Sequence, residues 1–289
     1  MPNNISISTN NIQKNAQNVI SQLLTNKHKK ESKTNDNLNA IYTTQSVSKM
    51  ATNLFNALNT RQSYVTVSNL SKINNNATFL NDTAAFKSFC IKLFKDDLRR
   101  KKNNIYNRLL LSKDICQYCH VKSTNALDHY FDKDHSYELA IFPDNLIPIC
   151  TNCNSKKKNN SFVYPYFVIL KKNNWLKCTI NADKTFSFSI VKNIATNDFD
   201  HSILNDLEKQ FNYLNVFKRY ISNGQAMVAE NISTMNQLKN SGFKKEAAKK
   251  FIKNKNSEQK KILFKRTEFY KVSILEGIIN DFDKIWIDL

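Results

Sequence analysis

The chain has 289 residues, 41% of them hydrophobic, and a formal charge of +19 from 43 Lys and Arg against 24 Asp and Glu. That length accommodates one large domain or two modest ones, and the hydrophobic content excludes a wholly disordered chain. The positive field suits a nucleic-acid partner, but lysine and asparagine abound while Gly is only 3, a bias that an AT-rich genome alone would produce, so the placement of the cations matters more than their sum.

Residues 1–15 are polar and carry no apolar signal-peptide core, and no apolar stretch reaches membrane-spanning length. The expectation is a cytoplasmic protein without a membrane partner. Six cysteines in a long chain of this kind do not suggest a disulfide framework.

Ile12, Ala16, Val19, Ile20, Leu23 and Leu24 have helical spacing and predict a helix over 11–25. The charged stretch 27–37 reads as a linker or exposed loop. A second helix is expected over 39–58, with Val47, Met50, Ala51, Leu54, Phe55 and Leu58 on one face. Residues 59–82 are mixed, with a short strand at 64–67. Asp82 caps a third helix whose stripe is Phe86, Phe89, Cys90, Leu93, Phe94 and Leu98, with Asp96 and Asp97 on its polar side. The cluster Arg99-Arg100-Lys101-Lys102 follows; it either holds a phosphate backbone or is a solvated helix face. Tyr106, Leu109, Leu110 and Leu111 lead towards Cys116.

Beyond residue 160, two strands are expected over 175–180 and 185–191 around the turn Asn181-Ala182-Asp183-Lys184. From Asp198 the pattern is helical, with Leu204, Leu207, Phe211, Leu214, Phe217 and Tyr220 in one stripe. Gly242 interrupts it, and 251–289 supplies at least one more helix. The lysine-rich run 243–265 is mobile, DNA-facing or merely solubilising. Cys90 and Cys178 read as packed core thiols, Tyr164, Tyr166 and Phe167 as core aromatics, and His135 and His201 as ordinary polar residues. No internal repeat is present. The fold class is therefore α+β. Mainly helical regions 1–112 and 161–289 flank a central unit at 113–160, with short strands preceding the helices of the C-terminal region.

The chemistry concentrates in that central unit. Cys116-Gln117-Tyr118-Cys119 and Cys150-Thr151-Asn152-Cys153 are two Cys-x-x-Cys turns, each presenting two sulfurs to one ion, with 30 residues between Cys119 and Cys150. Four cysteines fill a tetrahedral Zn²⁺ shell and leave no position for water or substrate, so this zinc is structural. His120 adjoins Cys119 and could compete as a ligand, but four cysteines make it unnecessary. Between the pairs stand Leu127-Asp128-His129 and Asn145-Leu146-Ile147-Pro148-Ile149. Leu127 reads as a buried strand residue, with Asp128 and His129 where the strand yields to a loop. Residues 145–149 read as the returning strand, and Thr151 or Asn152 starts a helix that carries Cys153, Asn154 and Lys157.

These residues, in this order, resemble the HNH, or ββα-metal, endonucleases, in the branch braced by two CxxC zinc knuckles. The resemblance covers about residues 113–160. Asn154 stands where the third letter of the family name is often His, a familiar variant that keeps a metal-ligating atom. Relatives often have Pro-Lys shortly after the Asp-His pair; this chain has Asp132-Lys133, which leaves the loop path and any role of Asp132 or Asp134 open. The resemblance implies that His129 is the general base, since imidazole's ordinary pKa near 6.5 suits proton transfer at neutral pH. It implies that Asp128 and Asn154 hold one hard cation, Mg²⁺ or Mn²⁺, through oxygen, and that Asn145 braces the loop and orients His129. Lys157, one turn beyond Asn154, would contact the phosphate, although Lys156 and Lys158 are equivalent to it by sequence.

The leading reading is thus a metal-dependent endonuclease acting on DNA, in bacterial anti-phage defence, restriction or homing, with a partner protein in some settings. The alternative is a non-catalytic, zinc-stabilised module that binds nucleic acid or protein. Asp128, His129 and Asn154 together argue against it, because a pure binder has no need of that set.

Overall fold

The structure, a computed structural model, describes residues 8–25, 39, 41–60, 83–99, 105–158, 160–171, 174–266 and 268–287. The expected linker at 27–37, the strand at 64–67, the cap Asp82 and the cations Arg100, Lys101 and Lys102 lie outside the described residues, as does the side chain of Asp97. The fold is α+β: among the described residues, helices and two two-stranded antiparallel sheets. None of the described helices is long and apolar enough to cross a membrane. The chain divides into two compact units, residues 1–113 with 124–154, and residues 114–123 with 155–289.

In the first unit, α1 (Thr9–Thr25) and α2 (Thr44–Thr60) are amphipathic helices packed on each other. Ile12, Ala16, Val19, Ile20 and Leu23 of α1 and Val47, Met50, Ala51, Leu54 and Leu58 of α2 are buried, as their spacing predicts, while Leu24 and Phe55 of the same stripes are only half-buried and Ala57, outside the expected stripe, is buried. Thr43 caps α2, its hydroxyl accepting from Ser46 N at 3.1 Å and its carbonyl from Val47 N at 2.9 Å. The third helix, α3 (Thr83–Lys92), continues into a π-helical turn, Leu93–Leu98, across which Arg99 N donates to Phe94 O at 3.0 Å. This wider turn carries Leu93, Phe94 and Leu98 inward together, while Phe89 is only half-buried. A 3.6-residue period does not anticipate it. After α4 (Ile105–Leu110), β1 (Ala126–His129) and β2 (Leu146–Ile149) pair with Leu127 opposite Pro148 and His129 opposite Leu146. Pro148 has no N–H to donate, and Leu127 N donates to Tyr106 Oη at 3.2 Å. Two 3₁₀ turns, Tyr137–Leu139 and Pro143–Asn145, lie between the strands.

In the second unit, β3 (Leu176–Ile180) and β4 (Phe186–Ile190) form a hairpin with strict in–out alternation. Its turn uses Lys184 at φ +68° and the Asp183 carboxylate, which accepts from Thr185 N at 3.0 Å. Beyond α5 (Thr151–Lys157), whose last residues enter this unit, the α-helices among the described residues are α6 (Asp198–Tyr213), α7 (Val216–Asn240), α8 (Lys245–Lys265), α9 (Phe269–Asn280) and α10 (Phe282–Ile287). Asn197 caps α6 through Asp200 N. Gly242, at φ +76°, ends α7 while Phe243 N reaches back to Leu238 O at 3.0 Å, a Schellman-type stop. The lysine-rich run is helix α8, with Ala248, Ile252, Asn256 and Leu263 inward. Helix α9 lies on β3: Ser273 Oγ donates to Leu176 O at 2.9 Å, and Asp281 accepts from Ile180 N at 2.9 Å.

Two predictions follow from these packings. A Cβ on Gly277 of α9 would meet the Cys178 carbonyl oxygen at 2.7 Å. Gly277→Ala should therefore lower the melting temperature, although alanine favours an isolated helix by about 1 kcal/mol; overpacking of this kind costs about 1–3 kcal/mol. In the first unit, Glu138 is buried in the turn between the strands, with Oε2 making no hydrogen bond among the described residues. Burial pushes its carboxyl up from 4.5 to about 7. The folded state then binds the proton more tightly than the unfolded one. Its contribution is fully present below about pH 4.5 and is lost as pH rises through about 7, a change of about 3 kcal/mol. Denaturant unfolding of Glu138→Gln between pH 4.5 and 7.5 should show a flatter pH dependence than the native chain.

Candidate active site and thiolate cluster

The first knuckle is a tight reversal. Ile115 and Ser123 form an isolated antiparallel bridge, Cys116 N donates to Lys122 O at 2.8 Å, and His120 N donates to Cys116 O at 2.8 Å. His120 takes the left-handed conformation at φ +50°. Gln210 of α6 holds this reversal through Tyr118 O at 3.3 Å while accepting from Val163 N at 2.7 Å. The second knuckle straddles the start of α5, with Cys150 just before it, Cys153 in its first turn and Asn154 N donating to Cys150 O at 3.0 Å.

Cys116, Cys119, Cys150 and Cys153 are buried, and their sulfurs all lie within 4.8 Å of one another. A tetrahedral Zn²⁺ with Zn–S bonds of about 2.3 Å separates its sulfurs by about 3.8 Å, so the donor set fits one shared ion. His120 stays outside it. Its imidazole packs between Trp175 and Phe269, with centroids 6.2 and 5.0 Å away, and burial lowers its pKa to about 4. Cys90 and Cys178 are buried core thiols apart from this cluster.

Asp128 and His129 are the last two residues of β1, and both are half-buried. His129 Nε2 lies 3.0 Å from the carbonyl oxygen of Ala140. A carbonyl only accepts, so Nε2 carries the hydrogen, and in the neutral ring the lone pair is then at Nδ1. The imidazole also meets the Phe94 ring edge-to-face, with centroids 4.4 Å apart.

Asn145 is fully buried (0% exposed). Its Oδ1 accepts from Phe131 N at 2.8 Å, and Nδ2 donates to Phe131 O and Leu139 O, each at 3.2 Å. Its carbonyl accepts from Tyr130 N at 2.9 Å, which closes the hairpin just past His129. The neighbouring Asp144 accepts from Asn15 of α1 at 3.1 and 3.3 Å. Asp132 builds a local turn: its carboxylate meets Asp134 N at 3.2 Å and the exposed His135 Nδ1 at 2.9 Å.

Asn154 is exposed on α5. Lys157, by contrast, is 6% exposed, with its ammonium 5.8 Å from the Tyr118 ring centroid. Tyr213 Oη donates to Lys156 O at 2.9 Å and fixes the end of the helix. The structure thus puts Asp128 and His129 on β1, Asn145 at the entry to β2 and Asn154 on α5, in one strand–strand–helix unit, and turns Lys157 onto an aromatic face. Residues without a motif also contribute: Ala140 through a backbone carbonyl, and Phe94 through a π turn that hydropathy spacing does not mark.

Residues 115–160 match a family model described as HNH endonuclease. A stretch of 76 residues is 32% identical to Protein ea31 of Escherichia phage lambda, covering 25% of this chain and 26% of that protein. The chain thus spans about a quarter of the length of that curated relative. No solved structure matches the chain. The match, the strand–strand–helix unit and the cysteine cluster coincide in one segment: residues 115–160 are similar to HNH endonuclease domains, and the four-cysteine cluster there fits a zinc-knuckle HNH.

Proposed function

We propose that the protein is a metal-dependent endonuclease that hydrolyses phosphodiester bonds of DNA. The observation that carries this reading is His129 at the end of β1 in the segment matching the HNH model, with Nε2 held by Ala140 O, which leaves Nδ1 as the ring nitrogen assigned to the base. In this reading Nδ1 takes a proton from water as the water oxygen bonds to phosphorus. The bond from phosphorus to the 3′ oxygen breaks, the leaving oxygen is protonated from solvent, and the products carry 5′-phosphate and 3′-hydroxyl ends.

Asp128 and Asn154 offer hard oxygen donors that suit Mg²⁺ or Mn²⁺, with water completing the shell. When bound, the cation supplies positive charge that offsets the charge on the phosphate oxygens in the transition state. Asn145 braces the loop that positions His129. Lys157 reaches a phosphate only by leaving the Tyr118 ring, so in the conformation described it steadies α5. We assign the flanking regions 1–112 and 161–289 to binding DNA or a partner protein. By family analogy, the biological setting we propose is bacterial defence or restriction.

The purified full chain should nick supercoiled plasmid with Mg²⁺ or Mn²⁺ and not with EDTA. His129→Ala should lower the rate by about 10²–10⁴-fold while keeping its zinc. Equal cutting by both proteins would remove His129 from the role of base. No cutting with any metal or DNA form would favour the non-catalytic zinc module instead.

The cysteine cluster is proposed to hold one structural Zn²⁺. Elemental analysis should find one zinc per chain, and Cys150→Ser should lose it. Structural zinc of this type contributes on the order of 10 kcal/mol to folding, so a strong chelator should unfold the segment rather than merely slow cutting.

A further inference from the structure

We propose that Tyr42 and Phe94, both well before the HNH segment, are positioning residues that hold the imidazole of His129 from two sides. This rests on the reading of His129 as the base.

Three successive carbonyls in the loop between β1 and β2 each accept a hydrogen bond from a side chain. Glu138 O accepts from Tyr42 Oη at 3.1 Å, Leu139 O from Asn145 Nδ2 at 3.2 Å, and Ala140 O from His129 Nε2 at 3.0 Å. The last of these sets the ring's orientation and tautomer, so the ring is as well placed as the turn that carries Ala140. Asn145 fixes that turn from within the hairpin, and Tyr42 fixes it from the entry to α2.

Tyr42 is buried, and its hydroxyl also lies 3.7 Å from Cys90 Sγ. A phenol has a single hydrogen, and the carbonyl is the better acceptor. The neutral Cys90 thiol then faces the phenol oxygen, which leaves the hydroxyl little freedom to turn away. If the hydroxyl is removed, the Glu138 carbonyl loses its side-chain partner, and a buried carbonyl left unpaired favours rotation of the turn.

Phe94 acts on the ring directly. Its centroid is 4.4 Å from that of His129, at an interplanar angle of 69°. The Phe94 carbonyl is itself held by Arg99 N across the π turn at 3.0 Å. Hydrogen bond and aromatic contact together restrict the two torsions that aim Nδ1. A misplacement of about 1 Å in such a group costs on the order of 10²-fold in rate.

The test uses the full-length, zinc-loaded protein with Tyr42→Phe, which is isosteric, and Phe94→Leu, which keeps an apolar side chain of similar reach. Plasmid nicking is measured against substrate concentration with Mn²⁺. The tautomer of His129 is read by ¹⁵N NMR, its signal being the one missing from His129→Ala. The expected result is a kcat lowered by about 10–100-fold with KM unchanged, and an Nε2–H tautomer that is uniform in the native chain and mixed in the variants. Two findings would each overturn the proposal: a kcat and tautomer in both variants equal to native, or a native His129 that is not the Nε2–H form. If the native protein cuts no DNA, the functional reading fails separately, and the tautomer measurement alone decides the positioning claim.

Discussion

The buried carboxamide of Asn145 is the constraint on which the candidate site depends. It has no exposure to water, yet its oxygen and both its hydrogens are used, on Phe131 N, Phe131 O and Leu139 O. No other residue type fits that pattern equally. Aspartate would set an acceptor against two carbonyls, and leucine would take the side-chain partner from Phe131 N and Phe131 O, at a cost of about 1–3 kcal/mol for each group left unpaired, while Leu139 O would keep only Phe142 N. With this amide in place, residues 130–145 become a fixed loop despite containing only two short 3₁₀ turns. Ala140 O inherits its position from that loop, and the His129 ring inherits its orientation from Ala140 O.

Around this loop, elements outside the motif each brace one piece of the hairpin within the same unit. Asn15 of α1 holds Asp144, Tyr42 holds Glu138 O, Phe94 meets His129, and Tyr106 of α4 takes Leu127 N. The two strands are four residues each. A hairpin so short is marginal by itself, and its side chains would be aimed loosely. The helices that precede it supply the packing that two strands lack.

Much of this arrangement was legible from residue order. The stripes Ile12–Ala16–Leu23 and Val47–Met50–Leu54 face inward as their spacing requires, and the strand–strand–helix order follows from Leu127, residues 145–149 and Thr151. The cysteine spacing anticipated the cluster. The less legible features share a cause: they depend on backbone groups or on tertiary neighbours, which no residue pattern encodes. The Ala140 carbonyl is invisible to any motif. The π turn at Leu93–Leu98 arises where the helix accommodates its neighbours. Lys157 has the helical phase of a phosphate contact, but Tyr118 offers its aromatic face nearby, and a long aliphatic stem gains from burial there. Gly277 reads as a weak point in α9, whereas it is the position where the helix touches the β3 backbone.

The charge is distributed in a way that its total does not convey. In the second unit, Lys245 and Lys249 share Asp283, Lys255 reaches Glu230, and Lys260 reaches Glu276. Such partly exposed pairs contribute between nothing and about 1 kcal/mol each, so they orient α8 more than they stabilise it. Those lysines are partly neutralised before any polyanion arrives. The site's own electrostatics are sparing by comparison. At Nε2, His129 meets a neutral carbonyl. A carbonyl at that nitrogen fixes the tautomer, whereas a carboxylate in the same place would favour the imidazolium and oppose release of the proton it had taken. In the proposed hydrolysis, the negative charge that holds a cation comes from Asp128, with a neutral amide at Asn154, and the carbonyl at Nε2 aims the base.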